Sequence, residues 1–208
     1  MAESAQSAPT VAALFVQAGG VYSQVENVEV WDKSRDARNY AGPHSVVAHP
    51  PCNLWGNLAA VNYARYGGEH NKPGNDGGLF SFAFNAVLKY GGVLEHPAKS
   101  KAFRAYGITP PTCFGWQRNM FDEWVCEVWQ SAYGHRARKA TWLFYSGRVP
   151  PSPLKWERPI SYFQIGYHDQ RGKQRNKPTL GTREAAATPP AFRDALINLA
   201  RNANGKNI

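Results

Sequence analysis

With 208 residues, 43% of them apolar and 19% charged, the chain can bury a core of its own, which excludes global disorder and fits a single domain. No apolar run reaches the length of a membrane span, and the first residues lack a basic segment followed by an apolar one; a soluble, cytoplasmic protein is expected. The formal net charge of +9 points to a polyanionic partner, nucleic acid first. Cys52, Cys113 and Cys126 are an odd number at wide spacing without a CxxC pair, so reduced thiols are expected rather than disulfides. His44, His49, His70, His96, His135 and His168 form no HxH or HExxH pair, and no metal site is expected.

In chain order, residues 1–10 are small and polar and read as a frayed tail. Val11 to Val16 is the first candidate strand, followed by a turn at Ala18-Gly19-Gly20, and Val28 to Trp31 is the second, ending at Asp32. Gly42-Pro43 marks a turn before a short buried strand at Ser45-Val46-Val47-Ala48. Pro50 and Pro51 cannot donate ladder hydrogen bonds, so this strand stops there and holds Cys52 at its carboxyl end on a stiff loop. A helix is predicted over Leu54–Tyr66, then a loop from Asn71 to Gly78. Asp76 is the candidate N-cap of an almost wholly apolar helix, Leu79–Tyr90, which Gly91-Gly92 ends. A further strand starting at Val93 delivers Glu95-His96-Pro97. Strand, buried helix and strand make a βαβ unit, which places Cys52 and Glu95 at one edge of a parallel sheet.

Asp122 to Gln130 alternates as a strand, with Trp124, Cys126 and Val128 on one face, and Lys139 to Tyr145 reads as another. Residues 146–182 are irregular and proline-rich. Arg148, Lys155, Arg158, Arg171, Lys173, Arg175 and Lys177 are concentrated there, interleaved with Trp156, Tyr162, Phe163 and Tyr167. That composition suits stacking on bases and contact with phosphates. Thr188 and Pro189-Pro190 open a terminal helix running to about Ala200, with Phe192, Ala195, Leu196 and Leu199 as its apolar stripe.

A cysteine after a proline pair, with a carboxylate one βα unit later, suits attack on a pyrimidine ring. A thiolate that adds to C6 makes C5 nucleophilic, and a carboxyl group at N3 and the exocyclic amine stabilises the charge that develops on the ring. Arg136 and Arg138, alternate residues of an extended turn, are placed to hold a phosphate and to favour the thiolate.

Pro50-Pro51-Cys52 resembles the PPC motif of DNA cytosine-5 methyltransferases, and Glu95-His96-Pro97 resembles their ENV motif or the ENP form of short phage-type members. Arg136-x-Arg138 followed by Lys139-Ala140-Thr141-Trp142 is similar to the Arg-x-Arg motif and to the phage-type YG…RKPT pattern, which starts here at Tyr133-Gly134. Ala187-Thr188-Pro189-Pro190-Ala191-Phe192 resembles the last motif, GN(A/S)VPP before a helix. The resemblance implies a compact, single-domain, Rossmann-like fold that uses S-adenosylmethionine, with a mostly parallel sheet and flanking helices. It further implies Cys52 as nucleophile, Glu95 gripping the cytosine edge, and Arg136 and Arg138 as active-site and phosphate arginines acting on a base flipped out of double-stranded DNA. The cofactor would lie against Phe15, Ala18, Gly19, Gly20 and Pro50, with Asp32 on the ribose hydroxyls and Asp36 on the adenine amine. Lys139 and the basic residues of 146–182 would contact DNA.

The sequence departs from the family at Leu14 to Gly20, where a Phe-x-Gly-x-Gly turn is usual, at Asn53-Leu54-Trp55 in place of Gln-x-Phe-Ser, and at His96 in place of Asn. The expected layout is a tail at 1–10, a catalytic core at 11–145, a small DNA-contacting region at 146–182 and a returning helix within 183–208, with a monomer favoured. Two alternatives stand beside it. One is a catalytically degenerate protein of the same fold that binds nucleic acid or inhibits a partner. The other is a thymidylate synthase-like enzyme acting on free nucleotides, against which the basic 146–182 stretch argues.

Overall fold

Side-chain alternation along the strands builds two apolar layers, one on each face of a central sheet. Ala12 and Leu14, Val46 and Ala48, and Leu94 face one layer; Val11 and Ala13, Val47, and Val93 face the other. This is a computed structural model, and it describes residues 8–165 and 177–203.

Seven strands form the sheet: β1 (Val11–Leu14), β2 (Val28–Trp31), β3 (Ser45–Ala48), β4 (Gly92–Pro97), β5 (Gln117–Arg118), β6 (Trp124–Trp129) and β7 (Ala140–Ser146). Their spatial order is β2-β1-β3-β4-β7-β6-β5. The first four in that order are mutually parallel, whereas β7, β6 and β5 join by antiparallel pairing. The sheet is therefore mixed, not mostly parallel. β6 and β7 follow one another through a single helical turn and so pair as a hairpin-like unit, which periodicity within each strand does not reveal.

Helix α2 (Leu79–Tyr90) lies over β3 and β4 with Phe80, Ala83, Phe84, Ala86 and Val87 buried. The three larger of these contribute about 1.5–3 kcal/mol each by leaving water. Its N-cap is Gly78, not the expected Asp76, because the chain reaches the helix through a left-handed glycine; Asp76 anchors the start from two residues earlier, accepting from the backbone N–H groups of Gly78 and Phe80, each at 2.9 Å. On the opposite face α5 (Pro190–Ala203) packs across β3 and β4 through Phe192, Leu196, Ile197, Leu199 and Ala200. Helix, sheet and helix make an α/β single domain. Three shorter helices complete the described part: α1 (Leu58–Tyr66), α3 (Lys101–Ala105) and α4 (Thr182–Ala186). α1 starts at Leu58, not Leu54, because residues 53–56 are held as a turn around Trp55. No helix among the described residues is long and apolar enough to cross a membrane.

The crossover from β1 to β2 contains one 3-10 turn, Val21–Gln24, and that from β2 to β3 another, Ala37–Asn39. Neither contains an α-helix. The strand order reverses direction between β1 and β3, so the loops that leave their carboxyl ends diverge and open a crevice.

Candidate active site

The sheet register determines which residues meet at that crevice. Leu14 pairs with Trp31 on one side and Ala48 on the other, and Ala48 pairs with Leu94. Phe15, Asp32, His49 and Glu95 are thus the next residues on four adjacent parallel strands. β7 runs the other way, and Ala140 at its start pairs with Trp129 at the end of β6. Lys139 and Gln130 therefore arrive at the same edge, joined by the Gln130 N–H donating to the Lys139 carbonyl at 3.0 Å.

The loop bearing Cys52 is fastened at both ends. The His49 N–H donates to the Leu14 carbonyl at 3.0 Å, and the Trp55 N–H closes a turn on the Cys52 carbonyl at 3.0 Å. Trp55 is buried, packs against Phe80 and Tyr106, and donates its indole N–H to Asp76 at 2.8 Å. Asn53-Leu54-Trp55, a departure from the family pattern, is therefore an anchor that ties the cysteine loop to Asp76, ahead of α2. His96 lies beneath the same loop, fully buried against the Phe80 ring. The Pro50 and Pro51 carbonyls face its imidazole without closing a well-formed hydrogen bond.

Cys52 is exposed to solvent, but enough protein surrounds it that desolvation pushes its thiol up, and the Glu95 charge adds to this while the Lys139 ammonium opposes it. Glu95 is nearly enclosed. Burial works against its ionisation, yet the His49 hydrogen bond and the positive charge of His49 and Lys139 outweigh that and hold its carboxyl below the usual range. Its Oε2 lies 3.1 Å from His49 Nδ1, and its Oε1 accepts from Gln130 Nε2 at 3.1 Å. Burial lowers the Lys139 ammonium, with Glu95 and Cys52 pulling it back. Its Nζ donates to the carbonyls of Ala186 and Ala187, each at 3.0 Å, which ties the segment before Thr188-Pro189-Pro190 to the crevice. Thiol, carboxylate and ammonium thus share one edge and influence one another's charge.

Arg136 and Arg138 stand at the rim. Arg136 pairs with Glu184 at 2.6 Å and lies over the Phe163 ring, while Arg138 lies over Trp129. Arg158 joins them from the 146–182 segment, pairing with Glu127 at 3.1 Å and facing the rings of Trp129 and Phe114. The rest of that basic segment divides. Arg148 follows the far end of β7, where its N–H donates to Ala203. Lys155 lies over Tyr133 beside α5, and Lys177 donates to the Ser161 carbonyl. Arg171, Lys173 and Arg175 lie outside the described residues. A groove of about 660 Å³ between α5 and Ser152–Lys155 is lined by none of the crevice residues.

On the cofactor side, Phe15 has φ +59° and meets Phe82 edge-to-face. Ala18 and Gly19 are exposed, Gly19 facing open space, and Gly20 closes the turn by donating to the Gln17 carbonyl. Asp32 accepts the Ser34 N–H, the Ser34 hydroxyl and the Arg35 N–H all on Oδ1, leaving Oδ2 without a partner among the described residues. Asp36 spends both carboxylate oxygens on Arg38, so an adenine amine would have to compete with a guanidinium there. Pro50 is buried in the loop's base.

Three residues of the cluster were not singled out by sequence reasoning: Tyr22, His49 in its role, and Gln130. His49 had a usable signal, since a polar side chain directly after a buried strand, next to the cysteine loop, must face the crevice edge or pay a burial cost.

The burial of His96 has a consequence for acid stability. Desolvation lowers its pKa from 6.5 to about 4, so it stays neutral in the fold while the unfolded chain takes up a proton. Stability from this source is intact above pH 6.5 and is lost progressively as the pH falls to about 4, by about 3 kcal/mol in all. Urea midpoints measured from pH 7 to pH 4 should fall more steeply in the wild type than in His96→Asn; parallel slopes would contradict this.

In comparison with known proteins, no family model matches the chain and no curated protein matches it.

Proposed function

We propose that the protein is a DNA cytosine-5 methyltransferase that uses Cys52 as its nucleophile. The observation that carries this reading is the convergence of Cys52, Glu95 and Lys139 where the carboxyl ends of β3 and β4 meet the amino end of the antiparallel β7, each affecting the others' ionisation. A thiol on a fastened loop beside a buried carboxylate is what addition to a pyrimidine requires. The motif resemblances at Cys52, Glu95, Arg136-x-Arg138 and Thr188-Pro189-Pro190 supply the choice of cytosine in DNA.

In the proposed reaction the Cys52 sulfur forms a bond to C6 of the flipped base, and the electron pair of the C5–C6 double bond is displaced into the ring. The proton released by the thiol is balanced by one taken up at N3, where Glu95 lies; the same carboxylate accepts from the exocyclic amine. Lys139 stabilises the thiolate. Once C5 carries its new substituent, water in the open crevice takes the C5 proton as the Cys52 thiolate is expelled and the double bond re-forms, and the N3 proton returns to the thiolate, so that one proton is released overall. Arg136, Arg138 and Arg158 would hold phosphates beside the extruded nucleotide.

On the donor side, Asp32 Oδ2 and the open backbone at Gly19 fit S-adenosylmethionine, whereas Asp36 does not. Bound there, it would supply an electrophilic methyl group on a sulfonium. The absence of an α-helix after Gly20 favours a second reading, a degenerate relative that binds DNA without the donor. Incubation with duplex DNA and methyl-labelled S-adenosylmethionine separates the two. Label is expected at C5 of cytosine; no transfer, together with salt-dependent DNA binding and no heat of donor binding, would favour the second reading.

A further inference from the structure

The crevice contains a hydrogen-bonded chain that the proposed chemistry does not itself require. Tyr22 belongs to the turn that follows Gly19-Gly20, and its hydroxyl lies 2.7 Å from His49 Nε2. His49 Nδ1 in turn lies 3.1 Å from Glu95 Oε2, and Gln130, itself bonded to the Thr141 hydroxyl, holds Oε1. Tyr22 is buried, and the rings of Tyr22 and His49 are in contact at 5.4 Å between centroids.

We propose that His49, backed by Tyr22, is a positioning residue that holds the Glu95 carboxylate ionised and aimed at the base. An ionised carboxylate can only accept, so His49 Nδ1 must carry the proton of that bond. Nε2 faces the Tyr22 hydroxyl at 2.7 Å, so the ring is held at both nitrogens and Nδ1 stays aimed at the carboxylate. Burial and the Glu95 charge keep the Tyr22 hydroxyl protonated, so it remains a hydrogen-bond partner for Nε2. With one hydrogen bond on each oxygen from the protein, Glu95 keeps lone pairs for the exocyclic amine and for the N3–H that forms as the sulfur adds. The charged and titratable groups around the chain are Lys139, Cys52 and His96 near Glu95, and Arg193 and Asp194 of α5 near Tyr22. None of them reaches the carboxylate by a hydrogen bond as His49 and Gln130 do.

The assignment rests on the base-directed reading of Glu95, but it is testable in the free protein. The side-chain carbon of Glu95 can be followed by NMR in carboxyl-labelled protein, with Glu95→Gln identifying the resonance. In wild type the titration midpoint should lie below the ordinary glutamate value of about 4.3. In His49→Ala it should rise by about one pH unit or more. His49→Asn, whose amide can take the place of Nδ1–H, should restore part of the shift. Tyr22→Phe, which removes only the hydroxyl, should raise the midpoint by a smaller amount. The rate of adduct formation with 5-fluorocytosine DNA should fall on the order of 100-fold in His49→Ala with DNA affinity unchanged. Should His49→Ala not fold, Tyr22→Phe decides. A Glu95 midpoint unchanged in Tyr22→Phe, or unchanged in a folded His49→Ala, would overturn the proposal, whatever the activity. A wild type that forms no adduct overturns the base-directed reading instead, and the titration still judges the hydrogen-bonded chain.

Discussion

Cys52→Ala is expected to abolish methyl transfer to DNA, by on the order of 10⁴-fold or more, while leaving the fold and DNA affinity intact. The side chain is exposed, and the loop around it is fixed by backbone bonds at His49 and Trp55 and by the Trp55 indole, none of which needs the thiol. Removing an exposed thiol should therefore change stability by less than about 0.5 kcal/mol. The chemical loss is complete because no other thiol reaches the crevice: Cys126 is buried in the opposite apolar layer, and Cys113 lies on the segment before β5. Glu95→Gln should fall less far, by about 10²–10⁴-fold, since it preserves shape and part of the hydrogen bonding but removes the charge that His49 and Lys139 face. Transfer that survives in Cys52→Ala would place the nucleophile elsewhere.

The second large effect concerns the hinge between α2 and β4. Gly92 opens β4 at φ +124°, and a Cβ there would sit 1.9 Å from the Val46 carbonyl oxygen and 2.7 Å from the Val46 nitrogen. Both are backbone atoms of β3, which cannot move aside without breaking the β3–β4 pairing that carries Cys52 and Glu95. Gly92→Ala should cost about 3–5 kcal/mol, from a forbidden backbone conformation and a backbone clash together. That is a large fraction of the roughly 5–15 kcal/mol that holds an ordinary domain together. Gly78, also at positive φ but facing open space, provides the comparison; Gly78→Ala should lose only about 1–2 kcal/mol. Urea unfolding of the two variants measures the difference, and equal losses would refute the clash.

Much of the parallel half of the fold was legible because its signals are local. Short apolar runs bounded by turn residues mark β1 and β3, Val28 to Trp31 marks β2, the longer apolar run marks α2, and Gly91-Gly92 mark the passage from helix to strand. The placement of Cys52 and Glu95 on one edge followed from that βαβ unit, and the register bears it out. The antiparallel half was not legible in the same way, since pairing of β7 with β4 joins residues about fifty apart and leaves no mark on either strand alone. α3 and α4, five residues each, are too short to show a helical period. The Tyr22–His49–Glu95 chain depends on where one 3-10 turn sits against a neighbouring loop, which spacing does not encode. Lys139, read from sequence as a phosphate contact among other basic residues, is drawn inward because the carbonyls ending α4 capture its ammonium. Arg148, Lys155 and Arg158 are grouped by sequence proximity, but the described chain separates them: Arg148 sits at the far end of β7 against Ala203, Lys155 over Tyr133, and Arg158 beside Glu127 and Trp129.

The most direct measurement is the site of covalent capture. Wild-type protein incubated with S-adenosylmethionine and duplex DNA containing 5-fluorocytosine, then digested and analysed by mass spectrometry, should yield one nucleotide adduct, on the peptide that carries Cys52. No adduct, or an adduct on Cys113 that persists in Cys52→Ala, would contradict the assignment of Cys52 as the nucleophile of a cytosine C5 methyltransferase.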